Sequence, residues 1–212
     1  VFCGDNTEVL SGFPSECVDL VVTSPPYDDL RTYGGCSWNF EALAAQLVRV
    51  LKPGGVIVWV VADATVNGSE TGTSMRHALG FMAQGLNLHD TMIYYRNSPH
   101  PPNVRYWQEF EFMFVLSKGQ PHAFNPVMQP KAASSLVRAK GNFNAHIRQK
   151  DGSLAATVGK AKERIRKSAD KLDRIKSNVW RYSVGGGLMA EERYAAEHPA
   201  PFPESLAKDH IS

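Results

Sequence analysis

Cysteine is scarce in this sequence, and its three residues, Cys3, Cys17 and Cys36, follow no paired spacing. This excludes a disulfide framework and a zinc site, so we expect no metal and reduced thiols in a cytoplasmic protein.

No apolar run is long enough to span a bilayer and no secretory signal is recognisable, so we expect no membrane association. The net charge is only +2, although its distribution along the chain is uneven.

The sequence also lacks a recognisable glycine-rich loop of the kind that binds a cofactor. Gly185-Gly186-Gly187 has neither the preceding apolar strand nor the following helix that such a loop needs, so we interpret it as a flexible connection. With 43% apolar and 21% charged residues, the composition is that of a globular protein. The 212 residues suffice for one domain, or for one domain that carries an insertion.

A short apolar strand followed by two prolines is the most informative stretch. Val18 to Val22 is β-branched and apolar apart from Asp19, which predicts a buried strand. Pro25 and Pro26 fix two φ angles and remove two backbone donors, so a stiff turn follows. The turn presents the Ser24 hydroxyl and free carbonyls at the carboxyl end of a strand, where open α/β sheets usually bind ligands.

Ser24-Pro25-Pro26-Tyr27 resembles the catalytic motif of the amino-directed DNA methyltransferases, which methylate N4 of cytosine or N6 of adenine. With Thr23 before it, the motif is similar to the version typical of the cytosine N4 group. The resemblance implies that the Ser24 hydroxyl and the Pro25 carbonyl bind the two hydrogens of an exocyclic amine. Pro26 would rigidify the turn, and Tyr27 would stack on a base turned out of the duplex. On the tetrapeptide alone, a Pro-Pro turn with a packed tyrosine is an equal alternative.

Apolar periodicity predicts the elements around this turn. We expect helices over 6–13, 40–51 and 73–85, strands over 18–22, 56–62, 90–96 and 110–116, and loops over 28–38, 63–72 and 97–109. Lys52-Pro53-Gly54-Gly55 is expected to end the second helix before a strand covered on both faces, an order that resembles the methyltransferase α/β fold. Asp5 matches a family position close to the adenosine of the cofactor, and a helix N-terminal cap is the alternative.

Basic residues concentrate in one segment. Residues 131–181 contain 14 Lys or Arg and 4 Asp or Glu, a net charge of +10, whereas the other 161 residues carry −8. Such a segment predicts a polyanion site, with a solvated helix as the alternative, and its place resembles that of the family's target-recognition region. The candidate DNA contacts are Arg31, Arg105, Lys140, Arg148, Lys160, Arg164 and Lys167.

His198-Pro199-Ala200-Pro201-Phe202-Pro203 resembles the family segment that leads into a helix and holds the methionine part of S-adenosylmethionine. Its place after the catalytic motif implies the circularly permuted order of motifs. RNA and protein methyltransferases with a Pro-Pro-Tyr motif normally have the cofactor motif first, which disfavours them. The cofactor contacts implied by the resemblance are Asp5, Thr23, Ser24, His198, Pro199, Ala200, Phe202 and Pro203.

The fold implied by this resemblance is α/β, a Rossmann-like S-adenosylmethionine-dependent methyltransferase sheet, circularly permuted and with an inserted basic target-recognition region. We expect a catalytic part over 1–118, a target-recognition insertion over 119–184 and the start of a cofactor-binding part over 185–212. The family's Asp-Pro-Phe-x-Gly-x-Gly loop is not found before Ser212, and the chain begins with Val1. We therefore expect roughly the first two thirds to three quarters of such an enzyme, an incomplete sheet, and weak cofactor binding by this chain alone.

The expected function is methyl transfer from S-adenosylmethionine to an exocyclic amine of double-stranded DNA, with cytosine N4 as the expected target. The alternatives are an adenine N6 methyltransferase and a DNA-binding remnant without catalysis. A cognate restriction endonuclease is a further partner that the resemblance allows.

Overall fold

The computed structural model describes residues 2–26, 38–96, 104–140, 146–156, 171–183 and 203–211. The chain divides into two compact units, one formed by residues 1–125 and 178–212 and the other by residues 126–177. Within the described ranges, no helix is long and apolar enough to cross a membrane.

The first unit contains both helices and strands. Its helices are α1 (Asn6–Ser11), α2 (Phe40–Val50), α3 (Thr73–Ala83) and α5 (Glu204–Ile211). Its main strands are β1 (Val18–Thr23), β2 (Leu51–Val61), β5 (Asn87–Arg96), β6 (Phe110–Ser117) and β11 (Val179–Tyr182). The mixed α/β class is therefore confirmed.

The five strands form one sheet in the order β1-β2-β6-β5-β11. β1 runs parallel to β2, and β11 runs parallel to β5. β6 lies antiparallel to both of its neighbours, with Val61 opposite Phe112 and Tyr94 opposite Glu111. Consequently the carboxyl ends of β1, β2, β5 and β11 and the start of β6 all lie at one edge of the sheet.

Two local predictions differ from the structure. The Lys-Pro-Gly-Gly stretch was expected to be a turn, but β2 already begins at Leu51, with an irregularity in its pairing to β1. Gly54 takes a positive φ of 77°, and its amide donates to the Lys118 carbonyl (2.6 Å), which extends the ladder. The expected loop over 63–72 contains a hairpin of β3 (Thr65–Val66) and β4 (Ser69–Glu70).

The core lies between the sheet and the pair α2 and α3. Trp59, Phe81 and Leu116 are fully buried there. The Phe40 ring stacks on His77 with centroids 4.1 Å apart, and the Trp59 indole N–H donates to His77 Nδ1 (3.3 Å). Because side chains alternate along strands, Met113 faces the side of the sheet opposite to Phe112 and Phe114, and there its sulfur lies 3.2 Å from the His210 ring of α5.

The second unit is built from short elements. β7 (Met128–Pro130) pairs antiparallel with β10 (Asp173–Ile175), and β8 (His146–Arg148) pairs antiparallel with β9 (Leu154–Ala156). The helix α4 (Ala133–Lys140) is the further element described. None of the side chains described in this unit is buried.

Candidate active site

Ser24 and Pro25 lie directly after β1, at the carboxyl edge of the sheet. Thr23, the last residue of β1, is paired with Trp59 of β2, so the turn leaves the sheet beside the end of β2. Pro25 is buried, and Ser24 and Pro26 are half-buried. The two prolines carry no N–H, so no amide of the turn at these positions competes for the neighbouring carbonyls. Tyr27 lies outside the described residues.

Asp63 follows β2 at the same edge and holds the start of α3. Its carboxylate accepts hydrogen bonds from the Ser74 amide (2.9 Å) and the Ser74 hydroxyl (2.6 Å). The Thr71 hydroxyl lies 3.5 Å from the same carboxylate. This carboxylate therefore fixes the hairpin and the first turn of α3 next to the candidate catalytic turn.

A buried ion pair stands on the neighbouring strands at this edge. Arg96 at the end of β5 is 3.1 Å from the carboxylate of Glu111 on β6, whose side chain is only 9% exposed. Tyr94 lies opposite Glu111 in the ladder. Burial, and then the nearby Glu111 carboxylate, raise the pKa of the Tyr94 hydroxyl above its ordinary range, so this tyrosine stays protonated.

The helix α5 is connected to both the first and the last strand of the sheet. It packs against β1, and the Tyr182 hydroxyl at the end of β11 donates to Asp209 on the helix (2.7 Å). The His210 ring stacks on Trp180 at 4.7 Å. Burial and the hydrogen bond to Asp209 raise the pKa of Tyr182.

Four residues of the predicted cofactor set are described. Pro203 is buried directly before α5, and its carbonyl accepts from the Leu206 amide (3.0 Å), which confirms that it opens a helix. Asp5 caps α1 through hydrogen bonds from the amides of Thr7 (2.9 Å) and Glu8 (3.1 Å), so the predicted alternative role is observed. Of the others, Thr23 ends β1 and Ser24 follows it, while His198, Pro199, Ala200 and Phe202 lie outside the described residues.

The described residues of the predicted cofactor set combine the apolar and polar groups that S-adenosylmethionine would need. The helix that follows the His-Pro-Ala-Pro-Phe-Pro segment, α5, packs against β1, the strand that ends at Thr23. This places apolar Pro203 and the polar Thr23-Ser24 end on elements that touch, and a ligand with both an apolar and a polar part needs such a combination. Among the described residues, no group of His, Cys, Asp or Glu side chains is arranged to hold a metal ion.

Two of the predicted DNA contacts, Arg105 and Arg148, have described side chains. The Arg105 guanidinium donates to the Thr65 hydroxyl (2.9 Å) and the Gly68 carbonyl (2.8 Å) of the β3–β4 hairpin. Arg148 is exposed in the second unit, where it donates to the Gly152 carbonyl (3.0 Å). Lys140 ends α4, but its side chain is outside the described part of the chain. Arg31, Lys160, Arg164 and Lys167 lie entirely outside the described residues. The DNA roles of all these residues stay predictions.

Sequence reasoning missed three polar groups at this edge, namely Asp63, the Arg96–Glu111 pair and the Tyr182–Asp209 bond. Glu111 did carry a signal, because it is a lone carboxylate in the strand Phe110-Glu111-Phe112-Met113-Phe114. A carboxylate in such a run needs a partner. The identity of that partner depends on strand register, which the sequence pattern does not fix.

Known proteins share this architecture. A family model described as DNA methylase, for N6 and N4 methyltransferases, matches residues 18–212. The orphan methyltransferase M.BamHII of Bacillus amyloliquefaciens is 46% identical over 198 residues, which cover 92% of this chain and 70% of that protein. The type II methyltransferase M.SmaI of Serratia marcescens is 26% identical over 193 residues, which cover 68% of this chain and 66% of that protein.

Two solved structures support the fold. The PvuII DNA methyltransferase, titled cytosine-N4-specific, superposes with a TM-score of 0.59 at 18% identity and covers 99% of this chain and 68% of its own. The protein TTHA0409 of Thermus thermophilus is described as a candidate DNA modification methylase, and its structure contains S-adenosyl-L-methionine. It superposes with a TM-score of 0.52 at 19% identity, and the match covers 98% of this chain and 71% of its own. The chain belongs to the DNA methylase family, whose members methylate N6 of adenine or N4 of cytosine.

Proposed function

We propose that the protein transfers a methyl group from S-adenosylmethionine to an exocyclic amine of double-stranded DNA, with cytosine N4 as the acceptor. The observation that carries the proposal is the Ser24-Pro25 turn at the carboxyl edge of the sheet, directly after a strand that is paired in parallel with β2. The Thr-Ser form of the motif and the name of the PvuII enzyme support cytosine N4.

In this proposal the turn prepares a poor nucleophile. The lone pair of an exocyclic amine is delocalised into the base, so its nitrogen is planar and weakly nucleophilic. The Ser24 hydroxyl oxygen and the Pro25 carbonyl would each accept one amine hydrogen, which favours a pyramidal nitrogen with an available lone pair. When bound, S-adenosylmethionine supplies an electrophilic methyl group on a sulfonium. Asp5, Thr23 and Pro203 are the described residues proposed to hold it.

The basic segment is proposed to hold the duplex. The unit of residues 126–177 contains 13 Lys or Arg and 4 Asp or Glu. The exposed Arg148 and its charged neighbours would bind mainly phosphates, which position the duplex without reading its sequence. We propose that target recognition resides in the predicted insertion over 119–184, which contains this unit. A cognate restriction endonuclease stays a prediction.

The test is a nucleoside analysis. The protein is expressed from its complete reading frame and incubated with S-adenosylmethionine and unmethylated DNA of diverse sequence. The DNA is then digested to nucleosides for mass spectrometry. We expect N4-methylcytosine. N6-methyladenine would overturn the choice of base, and the absence of any methylated base from a folded protein would overturn the proposed function.

A further inference from the structure

Three large apolar side chains project from the sheet edge that carries the candidate active site. They belong to the segment that leads into β6, where Tyr106 is 97% exposed, Val104 is 88% exposed and Trp107 is 50% exposed. Exposed apolar side chains that are clustered often mark a binding site on a folded protein, whereas isolated ones do not. The segment is therefore a candidate contact surface.

Arg105, in the middle of this segment, fixes it to the β3–β4 hairpin. Its guanidinium donates to the Thr65 hydroxyl and the Gly68 carbonyl and lies 3.8 Å from the carboxylate of Glu70. At the other end of the segment, the Glu109 carbonyl accepts a hydrogen bond from the Arg96 amide (2.8 Å). The backbone that carries Tyr106 is thus held on both sides, and its ring is presented from a braced position.

The braced segment lies at the same edge of the sheet as Ser24. The hairpin follows Asp63 and β2, and β2 is paired on one side with β1 and on the other with β6. The ladder runs from Thr23 through Trp59 to Phe114, so the end of β1 and the start of β6 point to the same edge. The segment that carries Tyr106 and the proposed amine-binding turn therefore lie at the same edge of the sheet.

We propose that Tyr106 contacts the DNA bases that lose their stacking partner when the target base is turned out of the duplex. This inference rests on the proposed function, because an enzyme that acts on an exocyclic amine must extrude the base. The vacated position is a flat, apolar slot, and aromatic and apolar side chains fill such slots in many DNA complexes. Arg105 is occupied by the hairpin and acts here as a positioning residue.

The chemistry of the segment favours bases over phosphates. Its cation already has three oxygen partners on the hairpin, whereas its aromatic side chains are uncharged and exposed. A phenol ring stacks on any base without reading its edge. Tyr106 is therefore expected to contribute to base extrusion and not to the choice of sequence.

The experiment compares two duplexes of one sequence, one intact and one with a single abasic site that mimics the vacated position. The protein from the complete reading frame is titrated into each, and binding is followed by fluorescence anisotropy. We expect the wild type to bind the abasic duplex about tenfold more tightly than the intact one, since base–aromatic stacking is of this size. Tyr106→Ala should lose this preference and bind the intact duplex as the wild type does, and Tyr106→Phe should keep it.

The matched control is Phe124→Ala. Phe124 is also exposed, but it follows His122, whose amide donates to the Gly54 carbonyl at the opposite edge of the sheet, so the preference should persist. Equal preferences in wild type and Tyr106→Ala, with methyl transfer intact, would overturn this inference alone. A changed oligomeric state of Tyr106→Ala without a changed preference would assign the ring to a protein contact and also overturn it. Loss of all DNA binding and methyl transfer in the wild type would overturn the proposed function as well.

Discussion

At the scale of single residues, the sheet edge combines one hydroxyl with a buried charge pair. Ser24 follows the strand β1, and Arg96 and Glu111 stand on the two antiparallel strands at the far side of β2. Glu111 is buried opposite Tyr94 in the ladder, and removal of one partner of a buried pair leaves the other uncompensated. The pair is therefore expected to be a requirement for folding at this edge.

Replacement of Glu111 by Leu tests this requirement. We expect Glu111→Leu to lower the free energy of unfolding by about 1–3 kcal/mol, reduced from a fully buried case because Arg96 is one third exposed. Urea unfolding followed by tryptophan fluorescence gives the value. The control Asp19→Asn breaks an ion pair to Lys52 that is exposed on both sides, and its effect should be below about 1 kcal/mol. Equal effects of the two variants would contradict the assignment.

At the scale of elements, α3 and α2 meet through an unusually close approach. A Cβ at Gly80 would lie 2.5 Å from Phe40 Cε1, and the Phe40 ring is itself stacked on His77 and perpendicular to Phe81. A methyl group at this position would therefore displace the ring from these two contacts. Glycine is required at this point of the helix by packing, although its backbone entropy disfavours the helical state.

The change in the free energy of unfolding caused by Gly80→Ala should have the opposite sign to the change that helix propensity predicts. Propensity alone predicts a gain of about 1 kcal/mol, whereas the overlap with Phe40 should produce a net loss of about 1–3 kcal/mol. Urea unfolding measures the net effect. The double variant with Phe40→Leu should recover part of the loss, and Ala45→Gly at an exposed interior position of α2 gives the propensity on its own. A stabilised Gly80→Ala would contradict the packing seen here.

The contact of α5 with β11 should make the stability of the protein depend on pH. Burial and Asp209 raise the pKa of Tyr182, so above about pH 10 the unfolded chain loses this proton while the folded chain keeps it. Stability should therefore be full below about pH 10 and fall at higher pH. Tyr182→Phe should lower the urea midpoint of unfolding at neutral pH, and this midpoint should fall less steeply as the pH rises above about 10. The control Tyr106→Phe, at an exposed position, should keep the wild-type dependence of the midpoint on pH. Identical slopes in wild type and Tyr182→Phe would refute this link.

Local signals predicted most elements, because apolar period and turn residues act over a few positions. The strand before Ser24, the helices over Phe40–Val50 and Thr73–Ala83, and the helix after Pro203 follow from such signals. The β3–β4 hairpin was missed even though Asn67-Gly68, both at positive φ, is a strong two-residue turn signal. The Arg96–Glu111 and Tyr182–Asp209 pairs were not predictable, since each depends on strand register or on packing between distant segments.

At the scale of the whole molecule, charge and burial separate between the two units. Residues 126–177 carry a net charge of +9 and, in their described part, no buried side chain, whereas the core residues belong to the other unit. A basic unit with little apolar core is suited to a polyanion surface, and a unit with a packed sheet is suited to chemistry that needs fixed geometry.

The salt dependence of DNA binding tests this division. Lys150 and Lys171 are exposed in the basic unit, and their joint replacement by Gln should lower the affinity for duplex DNA. The slope of log K against log salt should also become shallower, by about one for each phosphate contact removed. Lys52→Gln in the sheet unit is the control and should leave the slope unchanged. A slope that is the same in all three proteins would exclude phosphate contacts from these lysines.

The amine-binding turn is the central claim, and single-turnover methylation by the Ser24→Ala variant tests it most directly. The protein from the complete reading frame is mixed with labelled S-adenosylmethionine and saturating DNA, and binding of both is measured separately. Ser24→Ala removes only the hydroxyl that is proposed to bind the amine and leaves the backbone of this predicted cofactor contact in place. We therefore predict nearly unchanged binding of DNA and cofactor and a transfer rate lower by about a hundredfold. Transfer at the wild-type rate by Ser24→Ala would contradict the account.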